Sequence, residues 1–226
     1  MRNLLRKTML LLVLAVALTT CAQKRSVSIL GDSYSTFRDY VVPDTNYVWY
    51  PADSNHKNDV VDVRQTWWHR FISQGNFRLC QNNSFSGATI CNTGYRGEDY
   101  SDRSYVKRHR YLGSPDIIII FGGTNDSWAK SPVGEFKYGG WTSQDLYSFR
   151  PAMACLLSSL QDRYPGTELY VVINDGLSAA VTESMKTISD YYHVTYIQLH
   201  DIDKQSGHPS QRGMAQIAEQ LSAVIK

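Results

Sequence analysis

The sequence predicts an α/β fold, a three-layer α/β/α sandwich around a five-stranded parallel sheet. Three observations predict it. Short apolar or β-branched runs alternate along the chain with stretches of helical periodicity. One of these runs, Asp-Ile-Ile-Ile-Ile-Phe at 116–121, has no polar alternation, as befits a strand covered on both faces. The length, 226 residues, is enough for one domain with a substantial core.

Taken in order, residues 27–30 form a first strand that ends at Gly31. Residues 65–74 carry Trp67, Trp68, Phe71 and Ile72 at helical spacing, and 77–82 form a second strand. Pro115 opens the third strand at 116–121. A long amphipathic helix over 144–164 is ended by Pro165-Gly166. Strands at 168–173 and 194–199 flank a helix at 177–192, and a last amphipathic helix occupies 212–225. Strands interleaved with helices give a parallel sheet with helices on both faces. Ligands of such sheets bind beyond the carboxyl ends of the strands, so the residues after strands one, two and three are the place to look for chemistry. Two long insertions, 38–64 and 127–143, carry Tyr40, Tyr47, Trp49, Tyr50, Trp128, Phe136, Tyr138 and Trp141. Loops of that length are functional or disordered, and aromatic content argues against disorder.

Residues 1–22 stand apart from the fold as a signal peptide. Arg2, Arg6 and Lys7 form a basic start, 9–18 is an apolar run too short for a comfortable membrane span, and small residues follow. Two processing routes are open. Leu18-Thr19-Thr20-Cys21 resembles a loose lipoprotein cleavage box, which would lipidate Cys21; the alternative is cleavage after Ala22. Either route places the single domain, 23–226, outside the cytoplasm, in the periplasm, secreted, or lipid-anchored at the cell surface. The leader removes three of 23 Lys and Arg residues and leaves 20 against 21 acidic ones, a net charge of −1. Nothing in that balance points to nucleic acid, and a membrane would be met only through a lipid at Cys21. Cys80, Cys91 and Cys155 remain. A Cys80–Cys91 disulfide and unpaired buried thiols are both open readings, with Cys155 a buried thiol in a helix. His56, His69, His109, His193 and His200 share no metal-type spacing, and no metal or organic cofactor is expected.

Four short motifs fall where the fold would place a site. Gly31-Asp32-Ser33-Tyr34-Ser35 follows strand one, and Asn83-Ser84-Phe85-Ser86-Gly87-Ala88-Thr89 follows strand two. Gly122-Gly123-Thr124-Asn125-Asp126 follows strand three, and Gly207-His208-Pro209 precedes the final helix. Singly, each has a plain structural reading: Ser33 as a helix cap, Gly87 as a turn glycine, Asn125 and Asp126 as turn residues, His208 as a surface histidine. In series, they resemble the SGNH (or GDSL) hydrolases, a family of GDSL-like lipases and acylhydrolases, over nearly the whole mature chain. The resemblance implies a flavodoxin-like sheet and a serine esterase. Ser33 would be the nucleophile, and His208 the general base and then the general acid to the leaving alcohol. The backbone N–H groups of Ser33 and Gly87 and the side chain of Asn125 would form the oxyanion hole.

The sequence departs from the family where the histidine is oriented. The family usually carries Asp three residues before the histidine; here Gln205 stands there, with Asp203 two residues further back and Asp201 four. Three readings are open: Asp203 reaches the imidazole by another path; the carbonyl of Gln205 or a backbone carbonyl accepts the ring N–H, giving a dyad; or the protein binds more than it catalyses. The family's substrates include lipids, thioesters and acetylated carbohydrates, so the fold does not choose among them. The aromatic, aliphatic-poor insertions favour small acyl groups, such as O-acetyl, on a glycan. A lipid-directed acylhydrolase, lysophospholipase or thioesterase, and a catalytically weak glycan-binding protein, are the alternatives.

Overall fold

The computed structural model describes residues 23–53 and 56–226; the expected leader over 1–22, with Cys21 and Ala22, lies outside them. Five parallel strands form one sheet: β1 (Arg25–Gly31), β2 (Phe77–Ser84), β3 (Ile117–Gly122), β4 (Glu168–Ile173) and β5 (Thr195–Gln198), in the order β2-β1-β3-β4-β5. The helices are α1 (Trp67–Gln74), α2 (Tyr105–Arg108), α3 (Thr124–Ala129), α4 (Phe149–Arg163), α5 (Ala179–Tyr191) and α6 (Gln211–Val224). This is the predicted α/β class, with β1 and β3 adjacent at the point where the strand order reverses.

The unbroken apolar run of β3 is explained by two cores. Ile118 and Ile120 join Leu156, Leu160, Met185 and Ile188 beneath α4 and α5. Ile117, Ile119 and Phe121 face the other way, onto Trp67 and Phe71 of α1 and Met214, Ile217 and Leu221 of α6. Full burial of each such side chain contributes about 1.5–3 kcal/mol, which makes β3 the hub of the sandwich.

Four expectations are corrected. The helix expected over 144–164 is broken: a short 3-10 turn (Asp145–Tyr147) is followed by Ser148 in extended conformation, and α4 starts at Phe149. The cause is tertiary, because the N–H groups of Phe149 and Arg150 donate to the carbonyls of Pro132 and Val133 in the second insertion. The helix expected from residue 65 starts at Trp67, because Thr66 caps it by accepting the His69 N–H. The first residues of the 127–143 insertion complete α3, which puts Trp128 on a helix. Cys80, Cys91 and Cys155 are all free thiols, so the Cys80–Cys91 bridge does not form; Cys155 is only half-buried.

A feature not anticipated is a small antiparallel hairpin, β6 (Lys204–Gln205) with β7 (His208–Pro209). Its two turn residues, Ser206 and Gly207, both have positive φ, 50° and 74°. That is the backbone of the two-residue primed turns that match strand twist, which explains glycine at 207. The hairpin fixes where His208 points.

Candidate active site

β1 ends at Gly31, and Ser33 opens a 3-10 turn (Ser33–Ser35) capped by Asp32, whose Oδ1 accepts the Tyr34 N–H at 3.0 Å. Asp32 is fully buried, and burial pushes its carboxyl up to about 7, with the Arg108 charge working against the rise. Ser33 itself is only 3% exposed. Residue 208 arrives 175 positions later in the chain, and His208 Nε2 lies 2.9 Å from Ser33 Oγ. On the far side of the ring, Nδ1 is 3.2 Å from the carbonyl oxygen of Ser206. A carbonyl can only accept, so Nδ1 carries the proton and Nε2 presents its lone pair to the serine hydroxyl. Burial pushes the imidazole down to about 4. The Ser206 carbonyl opposes that shift, and the nearby His56 and Lys204 add to it.

The acidic candidates do not meet the ring. The Asp203 carboxylate accepts the Ser210 hydroxyl, at the start of α6, so the expected Asp203–His208 contact is not made. The Asp201 carboxylate lies beside His200 on the surface. Gln205 does not face the ring either: its Oε1 accepts the N–H of Asp59 at 2.9 Å. The geometry is that of a Ser–His pair with a backbone carbonyl behind it.

The other candidates gather at the neighbouring strand ends. Gly87 has φ 83°, a conformation that favours glycine, and a Cβ there would meet nothing within 4 Å. Among the described residues neither the Ser33 N–H nor the Gly87 N–H has an acceptor within the chain. Asn125 is 2% exposed, and its Nδ2 donates to the Ala88 carbonyl at 2.9 Å, which leaves its second N–H without a partner among the described residues. Its Oδ1 accepts the Tyr95 hydroxyl at 2.8 Å, which fixes the orientation of the amide.

Four residues that shape the site carried no role in the sequence reading. Asp126 accepts the N–H groups of Ile90 and Cys91 at 2.8–3.2 Å, tying the segment after Gly87 to α3; burial pushes its carboxyl up to about 6. Arg108 is buried, and its Nη2 donates to the Gly31 carbonyl at 3.0 Å while Nη1 donates to Asn83 Oδ1 at 3.1 Å and to the Asn83 carbonyl. It thus clasps the ends of β1 and β2. Tyr95 braces Asn125. Trp49, from the first insertion, stacks on His208 with ring centroids 3.7 Å apart and planes at 6°. Of the four, Trp49 had a sequence signal in the aromatic richness of its insertion, and Asp126 in its place in the motif after strand three. Among the described residues no group of three or more His, Cys, Asp or Glu side chains is arranged to hold a metal ion.

Residues 25–225 match the model of a protein family described as GDSL-like lipase/acylhydrolase. A protein of Bacteroides ovatus ATCC 8483 assigned as a GDSL-like lipase is 58% identical, over 88% of this chain and 96% of that one, with a TM-score of 0.86. A second, from Bacteroides uniformis ATCC 8492 and assigned likewise, is 53% identical over 89% of this chain and 95% of its own, with a TM-score of 0.88. A carbohydrate acetylesterase from Sinorhizobium meliloti is 16% identical over 88% of this chain and 97% of its own, with a TM-score of 0.58, a likeness of fold alone. No curated protein matches the chain.

Proposed function

The chain belongs to the GDSL-like lipase/acylhydrolase family and is an ester hydrolase, and from that premise we propose that it hydrolyses carboxylic esters through an acyl-Ser33 intermediate, removing small acyl groups from a carbohydrate. The observation that carries this reading is the 2.9 Å approach of His208 Nε2 to Ser33 Oγ, with the Ser33 and Gly87 N–H groups left without acceptors among the described residues. As Ser33 Oγ attacks the ester carbonyl carbon, His208 Nε2 takes the hydroxyl proton, and the carbonyl oxygen becomes an oxyanion. The Ser33 and Gly87 N–H groups and the Asn125 amide receive it; because they are held before substrate arrives, they need not reorganise as charge develops. The proton then passes from His208 to the leaving alcohol oxygen. A water molecule, deprotonated by the same ring, releases the acid from Ser33.

The acyl and alcohol preferences rest on what surrounds the pair. Trp128 is 43% exposed, with its ring 6.0 Å from that of His208. Tyr47 is exposed and packs edge-on against Phe85, two residues before Gly87. Flat aromatic faces with polar tips suit sugar rings better than a long acyl chain. The fold is also that of the carbohydrate acetylesterase from Sinorhizobium meliloti. Export through the 1–22 leader belongs to the same reading, and mass spectrometry of the mature amino terminus tests it by distinguishing lipidated Cys21, cleavage after Ala22 and an uncleaved chain.

The activity is tested with p-nitrophenyl acetate and p-nitrophenyl palmitate on the wild type, Ser33→Ala and His208→Ala. The expected result is acetate hydrolysis in the wild type alone, with little turnover of the palmitate ester, and acetate release from an acetylated oligosaccharide. Equal rates from all three proteins would remove Ser33 and His208 from the reaction. Faster turnover of palmitate would remove the small-acyl reading.

A further inference from the structure

The base half of the site lacks the group that ordinarily balances a charged imidazole. Among the described residues Nδ1 meets only the neutral Ser206 carbonyl, at 3.2 Å, and the Asp203 carboxylate is occupied by Ser210. The charged groups that do face the ring are unfavourable to an imidazolium: Lys204, which pairs with Asp175, and His56 when protonated. The two tyrosines packed on the ring spend their hydroxyls elsewhere, Tyr34 on the Gly207 carbonyl and Tyr50 on the Pro209 carbonyl, each at 2.7 Å. Two indoles remain: Trp128, edge-on with its ring 6.0 Å away, and Trp49, lying face to face on the imidazole at 3.7 Å.

We infer that Trp49 is the positioning residue of the base, doing with its π face what a carboxylate does in a triad. The inference rests on the esterase reading above. As Ser33 Oγ–H gives its proton to Nε2, the ring gains a positive charge against the negative face of the indole, within the reach at which such attraction is effective and screened from water on that side. When the ring returns the proton to the leaving oxygen, the charge disappears, so the indole favours the charged intermediate over the resting ring. Trp49 is held for this purpose from both sides. Its backbone N–H donates at 2.9 Å to Thr36 Oγ1, and that hydroxyl in turn donates to the Ser33 carbonyl at 3.0 Å. Its ring is backed edge-on by Tyr50, centroids 4.5 Å apart. The backbone at Trp49 is therefore registered to the turn bearing Ser33, and its indole, through Tyr50, to the hairpin bearing His208.

The experiment compares Trp49→Leu, which keeps apolar cover but has no π face, with Trp49→Phe, which keeps one. Two quantities are read: kcat and KM on p-nitrophenyl acetate, and the titration of the His208 ring by NMR, assigned with His208→Gln. For Trp49→Leu the expected result is a loss of about tenfold or more in kcat with KM nearly unchanged, and a His208 titration moved about half a pH unit or more to lower pH. Trp49→Phe retains most of both. The inference is overturned if Trp49→Leu matches the wild type in both. It is also overturned if Leu and Phe lose activity alike while the titration stays in place, which is the mark of packing alone. The titration does not require turnover. A wild type without Ser33-dependent hydrolysis removes the esterase reading, and the titration then decides the Trp49–His208 coupling alone.

Discussion

The two halves of this site are built in opposite ways. The oxyanion half is braced by buried polar chemistry: Asp126 holds the segment after Gly87 by its N–H groups, and Tyr95 fixes the amide of Asn125. The base half carries no carboxylate on its ring and is caged by Trp49, Tyr34, Tyr50 and Trp128 around His208. The difference follows from what each half must do. Donors that meet a developing negative charge must be aimed and must not relax, and networks of buried hydrogen bonds enforce aim. A base must gain and lose a charge on every turnover, and neutral surroundings let it do so without a permanent ion pair.

The sharpest way to break the contrast is on the oxyanion side. Asn125→Ala is expected to lower kcat on p-nitrophenyl acetate by about 10²–10³, roughly 3–4 kcal/mol of transition-state stabilisation, while the folded state persists. Asp126→Ala strands the N–H groups of Ile90 and Cys91 in a buried site, and thermal or urea denaturation should register a loss of about 2–5 kcal/mol; Asp126→Asn, which keeps an acceptor, should lose less. Tyr95→Phe leaves Asn125 in place but without its brace, and a loss of about tenfold in kcat with an unaltered KM is expected from one such hydrogen bond.

On the base side, the expected departures from triad behaviour are smaller but more diagnostic. A base is active only when unprotonated, so kcat/KM falls as pH drops through the pKa of His208 in the free enzyme. With that ring pushed down to about 4 by burial, the acid limb should lie well below the ordinary histidine value of 6.5, and measurable activity should persist at pH 5. Asp203→Asn should change kcat by less than about threefold, because its carboxylate serves Ser210. The corresponding loss in a triad of the serine-protease kind is about 10⁴, and a loss of that size here would place Asp203 back behind the ring.

Much of this was legible in the sequence, and the rest was hidden for identifiable reasons. β3 was readable because a strand with two covered faces has a single composition. The motifs around Ser33, Gly87, Asn125 and His208 were readable because each sits beside a strand end or a helix start, where local signals are strong. The break at Ser148 was not readable, since its cause is the pairing of Phe149 and Arg150 with the carbonyls of Pro132 and Val133. Arg108 and Tyr95 gave no local sign: one satisfies strand-end carbonyls, the other an amide, and no periodicity records either. The place of Asp203 was undecided until the hairpin turn at Ser206 and Gly207 set the direction of the ring. Trp49 stood out only as one of many aromatics, because its partner lies far along the chain.

The tether between Gln205 and Asp59 bears on how such a site can be altered. Gln205 occupies the position where relatives of the family usually place the histidine's carboxylate, yet here its amide fastens the first insertion to the hairpin. Asn58 and Lys57 do the same through the Pro209 carbonyl and the Ser206 hydroxyl. Histidine hairpin and insertion are thus fastened to each other by these hydrogen bonds. Writing Asp into position 205 would remove the longer amide that accepts the Asp59 N–H, and so weaken one tie of a seam that Asn58 and Lys57 still hold.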